Sequence, residues 1–174
     1  MIASNVIIIT SGHYVEGNGR KLGEAISGIL KLKKKPIVIL GPDGDDLLRN
    51  CNEIENCEIV FDPNFDGGLF SSLKAGLFTV THGAAFVISL GAPYLDVKNW
   101  SKLEAALLNS EKEHVIRAAP RAKNDEVNFP FIVTARGVSY LKNLPAETPW
   151  PPGHEVIFRD VLLDEAVAPV STSL

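Results

Sequence analysis

The sequence predicts an α/β fold, a three-layer Rossmann-like domain built on a mostly parallel sheet. Three observations predict it. Short β-branched runs alternate with helical periods through the first half of the chain. Several of the runs are apolar at consecutive positions, as strands covered on both faces are. The order this gives, β-α-β-α-β-α-β-α, calls for a parallel sheet flanked by helices, with right-handed crossovers.

The elements follow in order. Strands are expected over residues 6–10, 36–40, 58–61, 85–90, 114–118, 131–134 and 155–158. Leu22, Ala25, Ile26, Ile29 and Leu30 make one apolar helix stripe; Leu69, Phe70, Leu73, Leu77 and Val80 make a second, and Trp100, Leu103 and Leu107 a third. Asp43-Gly44-Asp45-Asp46 lacks the spacing and the closing Glu of a calcium loop and reads as acidic residues opening a helix. Lys33-Lys34-Lys35 reads as the solvated end of the first helix. Asp96 fits the N-cap of the third stripe, and a short helix is expected over 137–143. Pro145, Pro149, Pro151 and Pro152 then form a semi-rigid connector before the last strand. The whole of 1–174 is expected to be one domain, with 166–174 a loose tail.

Composition narrows the function. The chain has 174 residues, with 17 Lys and Arg against 21 Asp and Glu, a net charge of −4. An acidic balance argues against nucleic-acid binding, which needs a basic excess. Cys51 and Cys57 lie six apart, without metal or redox spacing, and are expected as free thiols, one of them in the core. The apolar start has no basic region before it and no cleavage pattern, and no apolar run reaches the ~18 residues of a membrane span. A soluble cytoplasmic protein is expected.

Ligands of an open parallel sheet bind beyond the carboxyl ends of its strands, where loops meet helix N-termini. Three loops qualify. The first, 11–23, holds Ser11, Gly12, His13, Gly17, Gly19, Arg20, Lys21 and Gly23, and is the natural phosphate loop. Its glycines read GxGxxxG, and the second strand ends Leu40-Gly41-Pro42 rather than in an acid, which disfavours a dinucleotide site. The second runs from Asp62 through Gly67 and Gly68 to Ser71 and Ser72 at the next helix. The third is Leu90-Gly91-Ala92-Pro93-Tyr94-Leu95-Asp96. Of the other histidines, His82, His114 and His154 read as surface residues, and no metal-binding spacing links the four.

The second and third loops carry a family resemblance. Residues 59–77, IVFDPNFDGGLFSSLKAGL, resemble the nucleotidyltransferases of molybdenum-cofactor maturation, the guanylyl- and cytidylyltransferases of molybdopterin, most of all the cytidylyl branch. Residues 86–95, FVISLGAPYL, resemble the same family's next strand and turn. Asn128 to Val133 and Tyr140 to Leu144 resemble its later strand and helix. The resemblance implies a GT-A-like sheet that binds a nucleoside triphosphate and Mg²⁺ and joins a nucleoside monophosphate to molybdopterin, releasing pyrophosphate. It assigns substrate binding to Ser11, Gly12, Gly19, Arg20, Lys21, Asp62, Gly67, Gly68 and Ser71, with Asp62 at the ribose or base. Phosphoryl chemistry needs such positioning and charge neutralisation more than covalent groups.

The chain departs from the family in three places. Its first loop is short, Ala92 stands where the family has its metal-binding Asp, and the family's C-terminal acidic motif is reduced to Asp164-Glu165. A methyl group cannot ligate Mg²⁺, so Asp160 or Asp164 would have to replace it. No catalytic residue and no metal ligand is assigned. Two readings follow: a nucleotidyltransferase with a rebuilt metal and triphosphate site, or a non-catalytic relative that binds a nucleotide or a partner protein.

Overall fold

The computed structural model describes residues 5–10, 16–90, 97–118, 130–150, 152–153 and 155–162. The strands are β1 (Asn5–Ile9), β2 (Pro36–Leu40), β3 (Glu58–Phe61), β4 (Ala85–Ser89), β5 (Val115–Ala118), β6 (Phe131–Val133) and β7 (Phe158–Val161). The helices are α1 (Asn18–Lys31), α2 (Gly44–Arg49), α3 (Leu69–Thr79), α4 (Val97–Leu108) and α5 (Ala135–Lys142). Short 3₁₀ turns cover Asn52–Asn56 and Phe65–Gly67.

The strands form one seven-stranded sheet in the order β3-β2-β1-β4-β6-β5-β7. β6 is antiparallel to both its neighbours, and every other pairing is between strands of one direction. The chain builds outward from β1 through β2 and β3, then returns to place β4 on the other side of β1. The order therefore reverses between β1 and β4, and this is the topological switch point where ligands of open α/β sheets bind.

Side chains alternate across each strand, so the two faces carry separate cores. Val6, Ile8, Val38, Leu40, Phe86, Ile116 and Ile132 pack against α1, α2 and α4. Ile7, Ile9, Ile37, Ile39, Val87, Val115, Phe131 and Val133 pack against α3 and α5. These are the three layers expected, and the near-continuous burial of β1 and β2 explains their unbroken apolar sequences. Phe86 and Trp100 stack at 3.7 Å between ring centroids, pinning α4 to the sheet. Trp150, from the proline-rich connector, packs against Phe70, Phe131 and Phe158 on the other face. Cys51 and Cys57 are both free and both buried in the α1 core, where burial first, then the neighbouring Cys51, pushes the Cys57 thiol up to about 12.

Two expected boundaries move by more than one residue. α5 begins at Ala135 rather than 137, because Thr134 caps it by accepting from the Gly137 amide at 3.0 Å. The last strand is Phe158–Val161 rather than 155–158. Its first residues are spent elsewhere: Glu155 accepts from the Tyr140 hydroxyl at 2.8 Å, and the Ile157 amide donates to His114 Nδ1 at 3.0 Å. Apolar patterning alone does not record those bonds. The end of α1 is as read, with Asp45 and Asp46 likewise opening α2. Lys33 closes α1 in the left-handed region at φ 57°, and the Lys34 amide reaches back to the Ile29 carbonyl. Lys33→Gly is expected to raise stability by about 0.5–1 kcal/mol, measured by urea unfolding, because only glycine enters that region without steric cost.

Candidate functional site

The loops singled out in the sequence leave the carboxyl ends of β1, β3 and β4, so the described ones share one end of the sheet. At the heart of this end, Thr10 is buried, with its amide and hydroxyl both donating to the Ile39 carbonyl at 3.2 and 2.8 Å. The Leu90 amide donates to the Ile9 carbonyl at 3.0 Å, closing the β1–β4 seam.

α1 starts here. Gly17 is its N-cap at φ 86°, a conformation that favours glycine, and among the described residues no side chain caps the helix. Its first turn has no acidic residue and carries Arg20 and Lys21, both exposed. The first-turn amides, the helix dipole and two cations make this end attractive to an anion. Arg20 reaches Glu24 at 3.2 Å, an exposed pair with little hold on the side chain. Gly19 has another role: a Cβ there would overlap the Asn50 carbonyl, so the glycine lets α1 approach the end of α2. Gly23 likewise makes room for the Glu53 side chain. The GxGxxxG pattern therefore records one turn and two close contacts.

The second loop is built around Asp62. Its Oδ1 accepts from the Ser71 hydroxyl at 3.0 Å and the Asn64 amide at 2.9 Å, and its Oδ2 accepts from the Ser72 hydroxyl at 2.8 Å. The carboxylate and both serines are buried. Asp62 thus clasps its own loop to the first turn of α3. The loop folds back over the end of β2: the Asp62 amide donates to the Leu40 carbonyl at 2.9 Å, and a Cβ on Gly41 would meet the Phe65 ring at 2.6 Å. Gly68, at φ 87°, is the uncapped N-cap of α3, and Gly67 lies beside Ser71. Further along, Gly76 lets α3 lie directly on Ile7 and Ile39.

Other expected positions separate from this cluster. Asp160 is bound to Arg117 Nε at 2.5 Å, at the far edge of the sheet, and Arg117 also lies over the Phe158 ring at 4.6 Å. Ser11, Gly12, His13, Ala92, Asp96, His154, Asp164, Glu165 and the tail 166–174 lie outside the described residues. His82 is exposed as read, but His114 is not a surface residue: it is only 3% exposed. Burial, then Arg136, holds its pKa below the usual imidazole value.

No family model and no curated protein matches the sequence. Solved structures match its fold. A 4-diphosphocytidyl-2C-methyl-D-erythritol synthase from Anaerococcus prevotii aligns with a TM-score of 0.62 at 14% identity, over 93% of this chain and 90% of that one. A CMP:2-keto-3-deoxy-manno-octonic acid synthetase complexed with CTP aligns with a TM-score of 0.54 at 9% identity, over 82% and 79%. The chain has a GT-A-like nucleotidyltransferase fold. Glucosyl-3-phosphoglycerate synthase from Mycobacterium tuberculosis, solved with Mn²⁺, uridine diphosphate and phosphoglyceric acid, shares it with a TM-score of 0.56 at 11% identity, over 77% of this chain and 56% of that one. These three neighbours are a diphosphocytidyl-methylerythritol synthase, a CMP-sugar-acid synthetase and a glucosyl-phosphoglycerate synthase, and no sequence match links the chain to the molybdenum-cofactor family.

The described residues assemble no cluster of metal ligands: no three of their His, Cys, Asp or Glu side chains gather into a metal site. Asp62 has both oxygens engaged by its own loop, and Asp160 is held by Arg117. In sequence, the position the resemblance assigns to the metal-binding Asp is Ala92. What the described arrangement offers is backbone amides and cations for an anion at the switch point.

Proposed function

We propose that this chain binds a nucleoside triphosphate in the crevice beyond β1 and β4. The observation that carries this reading is the first turn of α1: without a side-chain cap among the described residues, free of acids, bearing Arg20 and Lys21, and placed at the switch point of a nucleotidyltransferase-type sheet. The triphosphate lies against the α1 amides and these two side chains, with Ser11 and Gly12 contributing from the same loop. Gly67, Gly68 and Ser71 form the other wall, and Asp62 holds that wall in shape. Gly19 supports the site by letting α1 seat against α2. On this reading the chain binds its nucleotide without Mg²⁺-dependent transfer, which is supported by the engagement of Asp62 and Asp160 with other partners and by Ala92 at the position of the family's metal-binding Asp.

A second reading is nucleotidyl transfer to molybdopterin, favoured by the likeness of residues 59–77 to that family's central block. One experiment separates the two. Each nucleoside triphosphate is tested by thermal shift with and without Mg²⁺, and pyrophosphate release is followed with molybdopterin present. One nucleotide at 100 times its dissociation constant should stabilise the protein by about 2.7 kcal/mol. The shift should persist without Mg²⁺, no pyrophosphate should appear above blank, and the double variant Arg20→Ala/Lys21→Ala should bind at least about tenfold more weakly. Pyrophosphate release would establish transfer in place of simple binding. The absence of a shift with every nucleotide would reject both readings.

A further inference from the structure

A cavity of about 520 Å³ opens at the end of the sheet opposite the nucleotide crevice. Its position follows from β6. That strand runs against the others, so it delivers α5 to the amino ends of β5 and β7. One face of α5 lines the cavity with Arg136, Ser139, Tyr140 and Asn143, at the spacing of a helical stripe. Glu155 and the chain leading into β7 form the facing wall, and His114, just before β5, contributes a buried ring.

The protonation of His114 can be read from its bond. The Ile157 amide is a donor, so Nδ1 carries the lone pair, and the proton of the neutral ring sits on Nε2. His114 is 97% withdrawn from solvent, being 3% exposed. Its ring lies 4.6 Å from that of Tyr140, and among the described residues no acceptor takes the Nε2 proton. A buried donor without an acceptor is uncommon in native structures and calls for an explanation. Arg136 lines the same cavity, exposed, and has no ion-pair partner among the described residues. Glu155, the carboxylate of the cavity, already accepts from the Tyr140 hydroxyl. Two donors, one cationic, therefore line a cavity in which the charged Glu155 carboxylate is turned to the Tyr140 hydroxyl rather than to either of them, and a group that would bond both is an oxyanion.

We propose that this cavity is a second ligand site, taking the carboxylate or phosphate end of a small molecule between the Arg136 guanidinium and His114 Nε2–H. It is separate from the nucleotide crevice and does not depend on it. The full chain is titrated with inorganic phosphate and, separately, with succinate, while the imidazole nitrogens of His114 are followed by NMR. One of the two should move the His114 signals saturably, and the tighter binder identifies phosphate or carboxylate as the recognised group. Arg136→Gln should weaken that binding by about tenfold or more, since a charge-assisted bond is lost. Because Arg136 is exposed, its replacement should leave the unfolding midpoint without ligand unchanged. Arg20→Ala, at the opposite end of the sheet, should leave the His114 response as it is. The proposal is overturned if neither probe moves the His114 signals by ~20 mM, or if Arg136→Gln binds as wild type does. Phosphate that binds only at the crevice, leaving His114 undisturbed, overturns it equally.

Discussion

Gly137→Ala should destabilise the protein by about 3 kcal/mol, near the upper end of overpacking costs. Gly137 sits in the first turn of α5, where a Cβ would overlap the His114 carbonyl oxygen and stand 3.0 Å from Val133 Cγ1. The obstacle is backbone, which cannot swing aside as a side chain does. That same carbonyl accepts from the Thr134 amide at 3.0 Å, and Gly137 itself donates to the Thr134 hydroxyl. Moving α5 away to relieve the overlap would therefore also loosen the helix cap, itself worth about 1 kcal/mol. Urea unfolding measures the loss, and a fall in melting temperature of about 6–12 °C should accompany it for a chain of this size. A cost below about 1 kcal/mol would mean that α5 does not rest on β5 as closely as described.

Asp62→Ala should cost about 3 kcal/mol for a different reason. It deletes the acceptor of two buried hydroxyls and one amide at once, and nothing else in the loop replaces it. A buried donor left without a partner costs more than the lost bond itself contributed. Asp62→Asn keeps an acceptor oxygen and the shape, so its cost should be about half as large. The pair of variants also bears on function. If Asp62 acts by holding the loop, both variants should bind nucleotide in proportion to how well the loop stays folded. If Asp62 touches the nucleotide directly, Asp62→Asn should lose affinity out of proportion to its small loss of stability. Unfolding curves and nucleotide titrations on the same two proteins distinguish these outcomes.

The Asp62 cluster also explains what the sequence resemblance measures. In residues 59–77, Asp62 and the two serines form the clasp, Gly68 supplies a positive φ, and Gly76 lets α3 lie on Ile7 and Ile39. Each of these residues has a packing or turn-forming role that a sheet of this topology requires whether or not it catalyses anything. The block is therefore strong evidence for the fold and weak evidence for a reaction, as fold and function are separable. The glycines of the first loop divide in the same way: Gly17 makes a turn, while Gly19 and Gly23 admit neighbours.

The alternation of strands and helices and the two buried faces were legible in the sequence, because periodicity and burial are local consequences of residue order. The carboxyl-end loops were legible too, since turn chemistry is also local. Only the tertiary structure decided the rest. It turned His114 from an expected surface residue into a buried ring beside Arg136, shifted the last strand to Phe158–Val161, and engaged Asp160 with Arg117. The physical reason is common to all three. Each depends on which distant segments meet: Ile157 with His114, Glu155 with Tyr140, Asp160 with Arg117. Those partners are separated by 43, 15 and 43 positions, and no local pattern of polarity encodes a bond across such a span.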